Sequence, residues 1–563
     1  MENNSSLFVK QALISVISDL GLEKKAFSFS INQNQYFGDY SSNIAFLYQK
    51  ELKMTPYEVA CLILENILKK DGINDIFQKV VAEKNGYINF FVSEKYLSRI
   101  VSYFLKNDLP FQNFLGGDET TYIIEFSSPN MVKPFTIGYL RSTIIGDSVA
   151  KIYSYVGKKV VRDNHLGDWG IQFGKIICAV QKYSSIKEVV ESNEPYQELL
   201  DHYLRFSAEE KTKPSLTKRA SEIFAAMERG ESDVLKIWSQ IRHILERGLN
   251  NIYSTLGITF DTISWESSSR NGVHPLIEDL VSTGLAKISQ GAVIVEFDDE
   301  NLPVVVLRKS DGSALYAARE LFTDKQRFSK HGNELVIINE VGVDQSTYLS
   351  QIYSIECQLG WCGPDQRFHL SHGMYRLEGV KMVSEKGNYL YMLDVLSFAK
   401  NKVADKFKKA SEEDSLKIAL AAIKFNDLRN NHASDVEFSM ETFTDSSKGT
   451  GPYVQQTACN IRLFLQNNQR LYDAFDINTL TKQELLVIRH LEKFDNCLTS
   501  CVLEVQCTKL AVYVVDLCTL YNKCSFSDLE DSSQDNFVTV SSITEKTISL
   551  ALGLLGIQIP KQM

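Results

Sequence analysis

Apolar residues recur at three- and four-residue spacing near the start of the chain (Leu7, Val9, Leu13, Val16, Ile17, Leu20), which predicts a helix over 7–21. A polar loop is expected at 37–43. A second helix is expected over 55–70, opened by Thr55 and Pro56, and alternation over 86–92 predicts a strand. The run from Thr121 to Phe126 has the continuous apolar character of a buried parallel strand. A loop over 127–134, a long helix over 135–155 and a second strand over 157–163 complete a βαβ unit, so the middle of the chain is doubly wound α/β. Charge-dense helical faces then read as an insertion that splits this fold, over about 185–290. Sheet-type runs resume at 292–297, 304–307 and 335–339. Beyond residue 400 the pattern is helical to the end, with a helix over 453–466 after the punctuation Gly449-Thr450-Gly451-Pro452, and a short polar loop over 528–535. The divisions expected are 1–115, 116–400 with the helical insertion, and 401–563.

Composition alters this picture little. With 563 residues, 44% hydrophobic and 23% charged, the chain has the profile of an ordinary globular protein of several domains. A net charge of −10 gives no general attraction to nucleic acid, so any RNA contact has to use local basic patches. Ten cysteines are scattered without a C-x-x-C pair and read as reduced thiols of a cytosolic protein. Cys497, Cys501 and Cys507 sit at roughly helical spacing, and Cys357 and Cys362 on another helix-like run. No apolar run reaches about 20 residues, and the N-terminus lacks a basic region, so a cytoplasmic location away from membranes is expected. There is no H-E-x-x-H, P-loop, G-x-G-x-x-G or nucleophile elbow. Of nine histidines, only His369 and His372 pair closely, and they read as packing or surface residues.

The chemistry concentrates between Glu125 and Asp147. A strand, a loop and a helix N-terminus present unsatisfied N–H groups and partial positive charge, which suit phosphate or carboxylate ligands. Gly138 in the first turn leaves bare backbone for a flat base or ribose, Lys133 is placed to hold phosphate, and Ser128 and Asn130 to orient an amino acid. The block from Ser127 to Pro134 and the block from Leu140 to Asp147 resemble the class I arginyl-tRNA synthetases. So do Asn164 to Gly174, Lys309 to Tyr316, Gly449 to Tyr453 and the ending Leu554 to Met563. The resemblance covers nearly the whole chain, in order. It implies a multidomain α/β plus all-α protein. A split Rossmann-type catalytic domain would carry an N-terminal α/β appended domain that contacts tRNA and a C-terminal helical bundle that binds the anticodon.

Carried over by motif position, arginine recognition falls on Glu125, Ser128, Asn130, Tyr316, Glu320 and Gln345. A guanidinium is a planar fork of donors and asks for paired carboxylates. Glu320 stands where the family's motif has aspartate, one methylene shorter, so arginine or a related guanidine or amine is the expected ligand. The catalytic positions are Lys133, Thr136, Gly138, Tyr139 and Lys386. Thr136 and Tyr139 occupy the two histidine positions of His-x-Gly-His, and Tyr348 occupies a third family histidine. In the later loop, Val383 and Glu385 replace serine and arginine, while Lys381 and Lys386 remain. Tyr453 and Met563 are the tRNA contacts implied by resemblance, although Gln456, Cys459 and Asn460 replace an aromatic, a histidine and an arginine beside Tyr453. His165, inside a matched motif, reads as architectural.

Three readings follow from the resemblance. The first is an arginine–tRNA ligase using ATP and Mg²⁺, with adenylation weakened by the altered motifs. The second is an adenylation-deficient paralogue that binds arginine, tRNA or a protein partner. The third is a ligase for another amino acid or acceptor. A tRNA partner, a monomer, no DNA, no membrane and no protein-bound metal are expected.

Overall fold

A computed structural model of the chain describes residues 5–563 other than 33–34, 108–110, 118, 333, 378–379, 382–389, 440, 442–446, 448, 469–474 and 525–530. Its centre is a five-stranded sheet. Thr121–Glu125 (β1), Lys159–Leu166 (β2), Thr262–Trp265 (β3), Leu335–Gly342 (β4) and Arg367–His372 (β5) lie in the order β5-β4-β1-β2-β3, all parallel. Helix Ile137–Tyr155 (α1) joins β1 to β2. Ile123 and Ile124 are both buried, one on each face of β1, as a run covered on two sides requires. The direction of winding reverses between β1 and β4. In open α/β sheets that switch point leaves a crevice at the carboxyl ends of the strands, and Glu125, the last residue of β1, stands there opposite Asn339.

An α/β module precedes this sheet, with four antiparallel strands, and the chain closes in helices that include Gly451–Asn467, Thr508–Tyr521 and Asp531–Leu554. The helix Pro56–Ile67 begins as expected. Thr55 and Glu58 form a reciprocal capping box, with Pro56 in the first turn. No helix among the described residues is long and apolar enough to cross a membrane.

Several expectations need correction. Residues 40–42 are not loop: Tyr40–Ser42 is a buried strand, with the Ser41 and Ser42 hydroxyls bonded inside the module and Tyr40 and Asp39 reaching the C-terminal helices. Phe135 and Thr136 lie before the helix, Thr136 extended and bridging to Tyr391, so α1 starts at Ile137. The helical insertion ends with Ser232–Leu256 (α2) rather than near 290, because Thr262–Trp265 pairs with β2 and forms the edge of the central sheet. An edge strand covered on one side needs no apolar run, which hid Thr-Ile-Ser-Trp from the pattern. The sheet-type runs at 292–297 and 304–307 are strands as expected, Ala292–Val295 and Val305–Arg308, and form a separate antiparallel sheet with Lys287–Ser289. Among the described residues after 400 there is one short strand, Val436–Glu437, beside Tyr375–Leu377. Residues 531–535 open the last helix, and Cys362 lies beyond the helix that holds Cys357.

The N-terminal module is pinned to the C-terminal helices by a buried polar cluster. Glu492 accepts hydrogen bonds from Ser5 and, at 2.7 Å, from Tyr40; Ser6 donates to Asn496 at 3.1 Å, and Arg489 pairs with Asp39 at 2.8 Å. Burial pushes the Glu492 carboxyl up to about 7. The unfolded value is about 4.3, so this contact is at full strength below that pH and is lost as pH rises through 7, when a charge must be buried. The thermal midpoint of the wild type, measured relative to Glu492→Gln between pH 5.5 and 8, is therefore expected to fall as pH rises. Parallel curves would exclude this role for Glu492.

Candidate active site

The loop from β1 to α1 is held by its own hydroxyls. Ser127 and Ser128 adopt positive φ (70° and 39°), a backbone state disfavoured for side-chain-bearing residues and kept here by surrounding bonds. The Ser127 N–H donates to Ser142 Oγ at 3.0 Å, Thr143 donates to Ser127 Oγ at 2.7 Å, and the Ser127 hydroxyl meets Tyr253 OH of α2 at 2.9 Å. The Ser128 N–H donates to Asn164 Oδ1 at 3.1 Å, and the His165 N–H donates to Ser128 Oγ at 3.2 Å. Gly146 lets α1 approach β1: a Cβ there would sit 2.2 Å from Phe126. Arg141, fully buried, reaches across the molecule to Asp427 at 3.3 Å and to the carbonyls of Gly373 and Ser434 at 2.6 and 2.8 Å. Most of the motif from Leu140 to Asp147 therefore does structural work. Asn164 to Gly170 does similar work: Asp168 accepts from the N–H and hydroxyl of Ser267 at 2.8 and 2.6 Å, and Trp169 donates to Glu228 in the insertion.

At the carboxyl ends of β1 and β2 lies a buried acidic cluster. Glu125 from β1 and Glu320 from helix Tyr316–His331 (α3) flank the His165 imidazole, whose Nδ1 is 3.8 Å from Glu125 Oε2 and 3.6 Å from Glu320 Oε2. Arg327, about two turns along α3 from Glu320, lies 2.6 Å from the same Glu125 oxygen, outside hydrogen-bond alignment, and pairs with Asp163 and, at 2.8 Å, with Asp324. Arg367 continues the network to Asp324 at 2.9 Å and Glu356 at 3.0 Å. Burial, reinforced by the Glu125 charge, pushes Glu320 up to about 7. Burial would lower His165, but Glu320 and Glu125 outweigh it and its pKa is raised. The ligand atoms of Glu125, His165 and Glu320 lie within 4.8 Å of one another. The Arg327 guanidinium on the shared Glu125 oxygen makes the place a poor one for a divalent cation and a good one for an organic cation that hydrogen-bonds to carboxylates.

The structure brings some of the expected site residues together and separates others. Glu125 and Glu320 converge. Tyr316, largely exposed at the start of α3, stacks at a tilt on Tyr348, ring centres 4.8 Å apart. Burial, with Glu320 nearby, holds the Tyr348 phenol well above its usual range. Gln345 is exposed, just before helix Ser346–Gln358 (α4). Ser128 serves the loop, and Asn130 accepts from the Val132 N–H at 3.3 Å. Lys133 is half-buried, and Thr136 precedes α1 without its side chain capping the helix. Gly138 is exposed, with nothing nearer to a hypothetical Cβ than the Thr136 hydroxyl at 3.5 Å, so the first turn leaves open space. Tyr139 packs at a tilt against Phe135, centroids 5.7 Å apart. Tyr453 accepts from Asn522 at 3.0 Å, and Met563 packs at the rim of the core. Lys386 and the loop 382–389 lie outside the described residues. His372 pairs with Glu340 at 2.8 Å and His369 meets the Val341 carbonyl at 3.2 Å, both packing roles. Sequence reasoning missed Arg327 and Asp163, and it placed His165 in the framework although its ring sits at the centre of the cluster. The one available signal was the position of Asp163 to His165 at the end of a strand beside the switch point.

Family models match three stretches of the chain. They are the class I tRNA synthetase (R) catalytic domain over residues 101–440, the arginyl tRNA synthetase N terminal domain over 7–92 and the DALR anticodon binding domain over 454–563. Arginine–tRNA ligases of Lactococcus lactis subsp. lactis (strain IL1403) and Clostridioides difficile (strain 630) are each 30% identical, with 99% of both chains covered. Among solved structures, the Thermus thermophilus arginyl-tRNA synthetase superposes with a TM-score of 0.80 at 21% identity, over 99% of this chain and 100% of that one. The Plasmodium falciparum enzyme superposes with 0.83 at 20%, over 99% of each.

Proposed function

The chain belongs to the arginyl-tRNA synthetase family, and from that premise we propose that it ligates arginine to tRNA with an intact amino-acid pocket and a slowed adenylation step. The observation that carries this reading is the convergence of Glu125 and Glu320 on one buried point at the switch of the sheet. Two carboxylates there form a receptor for a guanidinium, with Tyr316 and Gln345 at its mouth and Ser128 and Asn130 toward the α-amino and carboxylate end.

ATP fits the open first turn of α1. Gly138 leaves room for the base or ribose, and the helix N-terminus with Lys133 supplies positive charge for the phosphates, to which the resemblance adds Lys386. Mg²⁺ would arrive on those phosphates. The arginine carboxylate attacks the α-phosphorus and pyrophosphate leaves; a hydroxyl of the terminal ribose of tRNA then attacks the arginyl carbonyl, and AMP leaves. The helices after residue 400, with Tyr453 and Met563, face the anticodon. Thr136 and Tyr139 supply no cation to the transition state. Each lost hydrogen bond to a charged group is worth about 1.5–3 kcal/mol, so several together slow the step by on the order of 10³ to 10⁶.

Labelled arginine, ATP, Mg²⁺ and arginine tRNA tested with the purified protein are expected to give charged tRNA at high enzyme concentration, with slow arginine-dependent pyrophosphate exchange. Absence of both products would exclude the ligase reading. Turnover typical of a fast synthetase would exclude the slowed step.

A further inference from the structure

We propose that His165 is a built-in stand-in for the substrate's guanidinium: in the empty pocket its imidazolium balances Glu125 and Glu320, and arginine, on entering, takes over those carboxylates and drives a proton off the ring. The inference rests on the reading of Glu125 and Glu320 as the arginine receptor.

The geometry carries it. Nδ1 of His165 lies 3.6 and 3.8 Å from the two carboxylates, too far for direct hydrogen bonds and close enough for strong attraction at a buried site. Arg327 already sits 2.6 Å from the shared Glu125 oxygen, so a further cation brought to these carboxylates would face both it and the imidazolium across a few ångströms of low-dielectric interior, which disfavours holding all three charges. The ring is the only one of the three that is able to neutralise itself, because a guanidinium stays protonated. The backbone of His165 is anchored independently through Ser128 Oγ, so the ring is free to change charge without loosening the loop.

The groups facing the ring come from every element around it. They are Glu125 on β1, Asp163 on β2, Glu320 and Arg327 on α3, and Glu266 on the turn after β3, while Asp324 on α3 and Tyr348 on α4 act on Glu320 beside it. Glu320 and Glu266 are each pushed up to about 7, mainly by burial. Glu320 is therefore itself a candidate source of a proton when a cation binds, and the test has to separate it from His165.

The balance of the event is simple. Protonated pocket plus arginine cation gives the complex plus one proton, which leaves to buffer. Below the raised pKa of His165 the stand-in competes, so arginine affinity is expected to weaken as pH falls, by up to about tenfold per pH unit.

Calorimetric titration of arginine into the full chain near pH 7, in buffers of different ionisation enthalpy, reads the protons released. The expected result is release of a large fraction of one proton in the wild type. It should be lost in His165→Gln, which should bind arginine with a flattened pH dependence, and retained in part by Glu320→Asp. Release that survives in His165→Gln but disappears in Glu320→Gln would assign the proton to Glu320 and overturn the proposal. Arginine binding without proton release would overturn the proposal alone, whereas no arginine binding at all would overturn the receptor reading beneath it.

Discussion

Arg327→Met is expected to destabilise the catalytic domain by roughly 3–5 kcal/mol, the usual result of removing one partner from a buried ion pair. Arg327 is buried and touches three carboxylates, Glu125, Asp163 and Asp324. Asp324 keeps Arg367 at 2.9 Å, but among the described residues Glu125 has no second cation except the titratable His165. Asp163 retains hydrogen bonds from Thr262 and Ser264. The substitution therefore leaves uncompensated negative charge in the interior, and the sheet edge formed by β2 and β3 loosens with it. Arg162→Ala is the contrast. Its bidentate pair with Asp261, 2.7 Å at the nearer contact, lies at a partly exposed edge, where such pairs contribute about 1 kcal/mol or less. Thermal unfolding followed by circular dichroism should show a drop on the order of 10 °C for Arg327→Met and a few degrees at most for Arg162→Ala. Arg327→Lys should recover only part of the loss, because an ammonium lacks the fork that spans Asp163 and Asp324. Equal shifts for the two arginines would show that the buried network does not hold this domain.

That network also marks where the sequence stopped being legible. The βαβ unit around residues 121–163 was readable because an apolar run and a period of 3.6 are local signals. The partners of Arg141 were not, since Asp427 lies 286 residues away and nothing local announces a contact of that range. The same holds for Tyr40 and Glu492, 452 residues apart, and it is why a buried strand looked like a polar loop. Family motifs identified the chain at once, yet much of what they spell is framework. Ser127, Ser142 and Thr143 hold the loop to α1, and Gly451 lets its helix pass 2.3 Å (from a hypothetical Cβ) from the Ala421 carbonyl. Motif position singles out Glu125 and Glu320 as candidate arginine ligands. Their convergence on His165 depends on how α3 packs over the ends of β1 and β2, and no spacing rule gives that.

The double substitution Thr136→His, Tyr139→His is expected to raise arginine-dependent pyrophosphate exchange by roughly 10²- to 10⁴-fold, from one charged hydrogen bond recovered at each position. The lower end applies if the two gains overlap. The local structure favours the change. Thr136 is extended (φ −90°, ψ 171°), its side chain makes no capping bond, and replacing it breaks no helix cap. The open face at Gly138 gives both new rings access to the phosphates. Tyr139 gives up its tilted packing on Phe135, and the smaller imidazole leaves a gap that costs about 1–2 kcal/mol of stability. The thermal midpoint should therefore fall while the rate rises, the reverse of what a general improvement in folding would do. A protonated imidazole supplies the charge, so the gain should shrink as pH climbs above about 6.5. The KM for arginine should hardly move, because the carboxylates proposed to receive it stand at the end of β1 and on α3. If exchange stays at the parental level while arginine still binds, the missing histidines are not what limits adenylation. The negative charge that Glu385 brings to the later loop would then be the barrier to remove.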